Sequence, residues 1–188
     1  DGSAELRYLS STYNVMFEES RRTNEHLRRK SELDGLTGIY NRNVFNRLLE
    51  EAADRELALL LVDVDLFKQI NDSYGHVVGD RVLQKVASRL EHAFRSSDYP
   101  CRVGGDEFAV VMVDANENTE AIVADKVRAI MDEMLDTSDG LPAITLSVGV
   151  AFGPVEGATD AEDTLYTRAD AALYRVKHNG GGGCEICE

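Results

Sequence analysis

Hydrophobic and polar positions repeat along the chain with two different periods. The apolar stretch LALLLVDVD at 57–65 is short and bounded by polar residues, which predicts a buried central strand ending in two acids. Three- and four-residue spacing elsewhere predicts helices, as at 81–95, where Val82, Val86 and Leu90 share one face. The two patterns mix without strict alternation, which favours an α+β fold.

The same patterns predict the order of the elements. Helices are predicted at about 4–32, 42–54, 66–72, 81–95, 117–136 and 160–178. Strands are predicted at 57–64, 99–103, 107–113 and 143–152, with a short last strand near the C-terminus. We expect a central, mostly antiparallel sheet of about five strands plus a small hairpin, flanked by helices.

The first predicted helix lacks glycine and proline and carries apolar residues at coiled-coil spacing. These residues are Leu6, Leu9, Tyr13 and Met16. The seam weakens at Ser20 and Thr23 before Leu27 resumes it. Two alternatives remain open: an amphipathic helix packed on its own domain, or a dimerising stalk from an upstream module. We therefore divide the chain into a helical stalk at 1–32 and a domain at 33–188.

Composition narrows the partners and the compartment. A net charge of -14 argues against nucleic acid or an anionic membrane as the main partner, because both attract basic surfaces. Three cysteines form no closed disulfide framework, which favours a reducing, cytoplasmic location. An offset of three in a strand sends Cys184 and Cys187 to opposite faces, so a shared metal is not expected. The start at DGSAE, without Met, suggests a piece of a longer protein, such as the cytoplasmic part of a sensor.

Acidic residues cluster where the central strand and a glycine turn end. Asp63 and Asp65 lie one pleat apart, and Asp65 is a candidate N-cap for the helix that begins at Leu66. In RVGGDEFAVVM at 102–112, Asp106 and Glu107 follow a glycine pair typical of a hairpin turn. If that hairpin pairs beside the central strand, three carboxylates surround one point. Such a group needs a divalent cation, which predicts a phosphoryl-transfer site.

Four separated motifs then carry a specific resemblance. GGDEF at 104–108, DVDLFKQINDSYGHVVGD at 63–80, DGLTGIYNR at 34–42 and RADAALYRVKHNG at 168–180 resemble the GGDEF family of diguanylate cyclases over about 155 residues. The resemblance implies a palm-like nucleotide-cyclase fold. It also implies condensation of two GTP into cyclic di-guanylate and two pyrophosphates by a homodimer, as part of bacterial second-messenger signalling.

The resemblance also implies the residues of the metal site. Asp63, the Val64 carbonyl, Asp106 and Glu107 match ligands of two Mg²⁺ (or Mn²⁺) ions per active site. Asp106 and Glu107 match the catalytic pair, with Asp106 helping to deprotonate the attacking 3′-hydroxyl.

Further matching positions imply the nucleotide contacts. Asn71 and Asp80 match a guanine-reading pair, since an aspartate accepts from the N1 and N2 hydrogens of guanine. An N-cap on helix 81–95 is the alternative role for Asp80. Phosphate contacts match three backbone amides and one side chain: Leu66, Phe67, Lys68 and Lys177. At position 181 the family commonly carries an arginine, so Gly181 removes one expected phosphate contact.

RSSD at 95–98 stands before the glycine turn at the spacing of the family's inhibitory product site. The resemblance implies that Arg95 and Asp98 bind cyclic di-guanylate; a surface ion pair at a helix end is the alternative. Asp34 and Arg102 match positions expected to pair and hold the stalk near the active site. A receptor that binds nucleotide without catalysis is the second function considered, and a cyclase of altered nucleotide choice is the third.

Overall fold

The computed structural model describes residues 2–51, 55–153 and 164–187, with Glu117 described by its backbone. In chain order the elements are α1 (Gly2–Glu32), α2 (Arg42–Glu50), β1 (Leu57–Val64), α3 (Phe67–Tyr74), α4 (His76–Ala93), β2 (Tyr99–Arg102), β3 (Glu107–Val113), a 3₁₀ turn (Glu117–Thr119), α5 (Glu120–Leu135), β4 (Leu146–Gly153), α6 (Leu165–His178) and β5 (Cys184–Ile186).

The described strands form one five-stranded sheet in the order β2-β3-β1-β4-β5. β1 is central and pairs antiparallel with β3 and β4, β2 pairs antiparallel with β3, and β5 joins β4 in parallel. The predicted α+β fold with a mostly antiparallel sheet is therefore confirmed. The β2–β3 hairpin is part of the five strands rather than an addition to them.

Alternation along β1 divides the core into two layers. Its even-numbered residues Ala58, Leu60 and Val62 pack with α4 and α5, and its odd-numbered Leu59 and Leu61 pack with α2 and α6. All eight residues of β1 are buried, as expected for a central strand covered on both faces. Asp63 and Asp65 continue the odd-numbered series, so they face α6.

Two predicted helix caps are wrong. α4 begins at His76, which places Asp80 in its second turn and excludes an N-cap role for this residue. α3 begins after Leu66, whose φ of 55° is left-handed, and no side chain caps it, so Asp65 is not its N-cap. The predicted helical residues 52–54 and 160–163 lie outside the described residues. α6 begins at Leu165 behind a Thr164 N-cap.

α1 contributes no buried side chain within the described part of the chain. The alternative of an amphipathic helix packed on its own domain is therefore wrong. Its C-terminal end is tied to α2, because Asn41 donates its backbone N–H to the Glu32 carbonyl (2.8 Å) and its side-chain amide to the Ser31 carbonyl (2.9 Å). Among the described helices, α1 included, none combines the length and apolar character of a membrane span.

Candidate nucleotide and metal site

The ends of β1 and β3 bring the predicted metal residues together at one edge of the sheet. Asp63 pairs in register with Glu107, and the Val64 amide donates to the Asp106 carbonyl at 3.1 Å. The hairpin therefore lies beside the central strand, as expected. Asp63 is 8% exposed, whereas Glu107 is exposed at the start of β3. The edge thus combines a buried acid with an accessible one.

The glycine pair of the turn has a spatial reason at Gly104. A Cβ at this position would lie 2.5 Å from Oε2 and 3.2 Å from Cβ of Glu107, so the glutamate side chain uses the space that any other residue would fill. The turn closes through backbone bonds from Val103 and Gly104 to the Glu107 carbonyl, at 2.9 and 3.2 Å. Glycine at 104 thus allows the acid to fold back over the turn.

Lys177, in the last turn of α6, forms an ion pair with Oδ2 of Asp63. Burial opposes the charge of Lys177, but the hydrogen bond and charge of Asp63, with the charges of Glu107 and Asp106, outweigh it and raise the pKa of the lysine. Burial raises the pKa of Asp63; Lys177 opposes this rise, and the charges of Asp106 and Glu107 add to it. The Lys177 ammonium therefore offsets part of the negative charge of the three acids, mainly that of Asp63.

Within the described residues, no three Asp, Glu, His or Cys side chains are arranged to hold a metal ion. The structure thus joins the strand ends but does not bring the three carboxylates to one point, because Glu107 folds over Gly104 and Asp63 pairs with Lys177. The donors themselves fit Mg²⁺, which binds hard carboxylate and carbonyl oxygens.

The chain beyond β1 presents backbone amides beside these acids. Leu66 is left-handed and Phe67 and Lys68 open α3, and none of these three amides donates to a backbone acceptor among the described residues. Successive free amides at a helix start, with a left-handed residue before them, form a concave site suited to an anion. This is the place predicted for the nucleotide phosphates.

The predicted guanine-reading residues lie on the adjoining helices α3 and α4. Oδ1 of Asn71 is buried without a hydrogen-bond partner in the described structure. Gly79 packs against it, since a Cβ on Gly79 would lie 1.9 Å from that oxygen. Asp80 follows directly, and its exposed carboxylate accepts no hydrogen bond from a described residue. Both side chains therefore retain hydrogen-bonding capacity for a ligand.

The predicted inhibitory residues lie away from this edge, between α4 and β2. Asp98 is 4% exposed and accepts the backbone amides of Arg95 (2.9 Å) and Val113 (3.3 Å). The alternative of a surface ion pair is wrong, because Asp98 is buried and accepts backbone amides, while the exposed Arg95 side chain pairs with no acid among the described residues. Both residues line a cleft of about 480 Å³ that also includes Tyr40.

These features match one known family over most of the chain. A family model described as diguanylate cyclase, GGDEF domain, matches residues 31–182. The chain belongs to the GGDEF-domain diguanylate cyclase family. The resemblance drawn from the four sequence motifs is thereby confirmed.

Relatives and solved structures agree with this assignment. Diguanylate cyclase TpbB of Pseudomonas aeruginosa is 35% identical, over 100% of this chain and 46% of its own length. Diguanylate cyclase DgcM of Escherichia coli is 38% identical, over 86% of this chain and 40% of its own length. The chain thus spans less than half the length of these two relatives. The coiled coil and GGDEF domain of DgcB from Caulobacter crescentus, in complex with c-di-GMP, matches with a TM-score of 0.77, at 31% identity, over 98% of this chain and 99% of that one.

The family resemblance predicted that Asp34 pairs with Arg102, but it did not predict that Arg102 also binds the glycine turn. Arg102 donates to both carboxylate oxygens of Asp34 (3.1 and 3.3 Å) and also to the Gly105 carbonyl (3.2 and 2.8 Å). Asp34, two residues after the end of α1, is therefore linked through one guanidinium to the turn of this GGDEF domain. The periodic pattern could not show this link, because its groups are 68 residues apart.

Sequence reasoning also missed the partners of Asp65. Its carboxylate binds Thr145, Ser147 and the amide of Gly182 instead of capping α3. The alternation predicted that Asp65 shares a face of the sheet with Asp63, but the loop that it contacts lies 117 residues further along the chain.

Proposed function

We propose that this chain is an active diguanylate cyclase that condenses two GTP molecules into cyclic di-guanylate and releases two pyrophosphates. The observation that carries the proposal is the register of β1 against β3, which sets Asp63 opposite Glu107 beside the amides of α3. One edge of the sheet then carries acids, a lysine and a helix start suited to an anion. A reaction on a nucleoside triphosphate requires these groups together. Relatives with the same domain carry the name diguanylate cyclase.

Four positions would hold the metal: the carboxylates of Asp63, Asp106 and Glu107 and the carbonyl of Val64. Two Mg²⁺ (or Mn²⁺) ions bound there would neutralise phosphate charge and lower the pKa of the attacking 3′-hydroxyl. Asp106 then accepts the proton of that hydroxyl, with Glu107 beside it.

The chain's own groups hold the triphosphate and the base. The amides of Leu66, Phe67 and Lys68 bind the β- and γ-phosphates. When GTP binds, the Lys177 ammonium leaves its ion pair with Asp63 and contacts phosphate oxygens instead. Guanine offers N–H donors along its edge, which suits the carboxylate of Asp80 and the unpartnered Oδ1 of Asn71. Adenine offers no such pair of donors, so the substrate is GTP rather than ATP.

Catalysis requires a second copy of the chain, because each domain supplies one GTP to the product. The support is α1, whose apolar side chains Leu6, Leu9, Tyr13 and Met16 remain 63–70% exposed. The related DgcB structure is described as a coiled coil with a GGDEF domain. We assign 1–32 as the dimerising stalk and 33–188 as the catalytic domain, acting in the cytoplasm without binding nucleic acid or contacting a membrane directly.

Product inhibition is assigned to Arg95 and Asp98. The exposed guanidinium of Arg95 provides a fork for guanine or phosphate, and Asp98 shapes the same cleft by holding the Arg95 amide. DgcB was solved in complex with c-di-GMP, which supports binding of the product by a domain of this fold.

The test is to incubate the purified chain with GTP and Mg²⁺ at several protein concentrations, and to identify products by chromatography and mass. Cyclic di-guanylate should appear with a steeper than linear dependence on protein concentration, and oligomeric state should be measured on the same samples. Asp106→Asn should bind GTP but form no product, and EDTA should abolish the reaction.

Failure to form product at any concentration, with GTP still bound, would contradict the proposal. That outcome would favour the receptor, which binds nucleotide and signals by contact.

A further inference from the structure

Asp65 joins three parts of the structure through its carboxylate. Oδ2 accepts hydrogen bonds from Oγ1 of Thr145 (2.7 Å) and from the backbone amide of Gly182 (2.8 Å), and Oδ1 accepts one from Oγ of Ser147 (2.6 Å). Hydrogen bonds to an ionised acceptor are short and strong, and three of them fix the orientation of the group. The end of β1 is thereby fixed to β4 and to the loop that follows α6.

That loop is a run of four glycines, 180–183, which by itself has little conformational preference. Gly180, Gly181 and Gly182 have φ values of 103°, 73° and 65°. Because each is free to adopt many other conformations, this one must be selected by contacts outside the loop. Asp65 supplies part of these contacts: it accepts the Gly182 amide, and its Oδ1 lies 3.1 Å from the point where a Cβ of residue 181 would stand. β4 supplies another, because the Val148 amide donates to the Gly183 carbonyl at 2.9 Å.

The glycine loop also closes the last turn of α6, which carries Lys177. The Gly180 amide donates to the Lys177 carbonyl (3.2 Å), and the Gly181 amide donates to the Val176 carbonyl (3.0 Å). Carbonyls at a helix C-terminus lack partners within the helix, so these two bonds hold the turn in shape. Any movement of the loop would be transmitted to the backbone from which the Lys177 ammonium projects.

We propose that Asp65 is a positioning residue: it fixes the glycine loop and, through the last turn of α6, directs Lys177 to the nucleotide phosphates. Asp65 itself contacts no substrate. The inference rests on the proposed function, because it assumes that Lys177 binds the phosphates of GTP.

Asp65→Ala removes all three hydrogen bonds and is the primary test. Hydrogen exchange of residues 179–184 in the nucleotide-free protein should become at least about tenfold faster, because opening of the loop no longer breaks a charge-assisted bond. The KM for GTP should rise about tenfold with a smaller change in kcat. Asp65→Asn, which keeps one acceptor oxygen, should recover most of both effects. Asp139→Ala is the matched control, since that carboxylate likewise holds a loop, through two partners, Lys85 and the Leu141 amide.

A double-mutant cycle with Lys177→Met separates positioning from a general structural role. If Asp65 acts through Lys177, Asp65→Ala should raise the KM for GTP in the wild type but hardly at all in the Lys177→Met background. Equal effects in both backgrounds would overturn the proposal, and so would unchanged exchange of the loop in Asp65→Ala.

Thr145→Val loses a single bond and serves if Asp65→Ala does not fold. It should change exchange and KM in the same direction by about threefold, and no change would overturn the proposal. The exchange measurement needs no activity, so a wild type that forms no cyclic di-guanylate would count against the proposed function alone.

Discussion

Gly79→Ala tests directly whether Asn71 reads the guanine base. Gly79 is the fourth residue of α4 and is buried, and a Cβ at this position would lie 1.9 Å from Oδ1 of Asn71. An ordinary contact begins at 3.4 Å, so the amide must move by about 1.5 Å or change rotamer. A hydrogen bond does not survive such a shift, because its donor–acceptor distance varies by only about 0.5 Å.

The expected magnitude follows from that single lost contact. Leaving one buried polar group unpaired costs about 1–3 kcal/mol, and 1.4 kcal/mol corresponds to about tenfold. We therefore expect the KM for GTP to rise about tenfold, with little change in kcat, since Asn71 is remote from the reacting phosphates in its proposed role. Folding should change little, because alanine is favoured over glycine inside a helix by about 0.5–1 kcal/mol, which offsets the tight 3.3 Å contact of its Cβ with Phe67.

The assay combines initial rates of cyclic di-guanylate formation over a range of GTP with urea denaturation of the same variant. Gly35→Ala is the matched control, because no atom lies within 4 Å of its Cβ position. A Gly79→Ala variant that folds at least as stably as wild type and keeps its KM would refute the guanine-reading role of Asn71. A raised KM accompanied by lower stability would show that the substitution disturbs packing. That result would also contradict the prediction, which expects a raised KM without loss of stability.

Three further substitutions test other parts of the site. Asp80→Asn should reduce the preference for GTP over ATP about tenfold in kcat/KM, measured with both nucleotides. Arg95→Ala should leave initial rates unchanged but weaken inhibition by added cyclic di-guanylate at least about tenfold. Burial opposes ionisation of Asp34, but hydrogen bonds from Thr37 and Arg102 outweigh it and lower its pKa below 3.8. Asp34→Asn should therefore cost about 1 kcal/mol of unfolding free energy at neutral pH. That difference should disappear in urea denaturation well below pH 3.8, as the wild-type carboxylate gains its proton.

The sequence predicted the central strand well but placed the start of α4 five residues late. The physical reasons for the two outcomes are opposite. β1 is buried on both faces, so its continuous apolar run was enough to predict a central strand, and no information from distant residues was needed. The start of α4 was placed at residue 81 by the apolar spacing that begins at Val82, and the acids just before the two predicted helices were candidate N-caps. Neither start uses a side-chain cap: α3 follows the left-handed Leu66 and α4 follows Gly75 at a φ of 83°. The apolar spacing therefore placed α4 five residues late, because the first turn of the helix carries no buried apolar side chain.

The site could be predicted to the level of elements but not of side chains. Strand alternation and the hairpin were enough to bring Asp63 beside Glu107. The directions of the carboxylates depend on charge balance across the sheet edge, where the Lys177 ammonium contacts Asp63 and Glu107 folds over Gly104. Lys177 comes from α6, 114 residues beyond Asp63, so no local pattern contains that information.

Gly181 shows how the structure changes the meaning of a residue that the sequence marked as a loss. Against the family pattern, a glycine there removes a cation from the phosphates. In the fold, residue 181 has a left-handed φ of 73°, and its Cβ position lies 3.1 Å from the Asp65 carboxylate. A side chain there would strain the left-handed backbone and would press on the carboxylate that holds the loop, which would have to shift by a few tenths of an ångström. Glycine at 181 and the hydrogen bond that the Gly182 amide donates to Asp65 therefore belong together. The carboxylate holds the loop, and in the proposed function Lys177 binds the phosphates without a second cation from this loop.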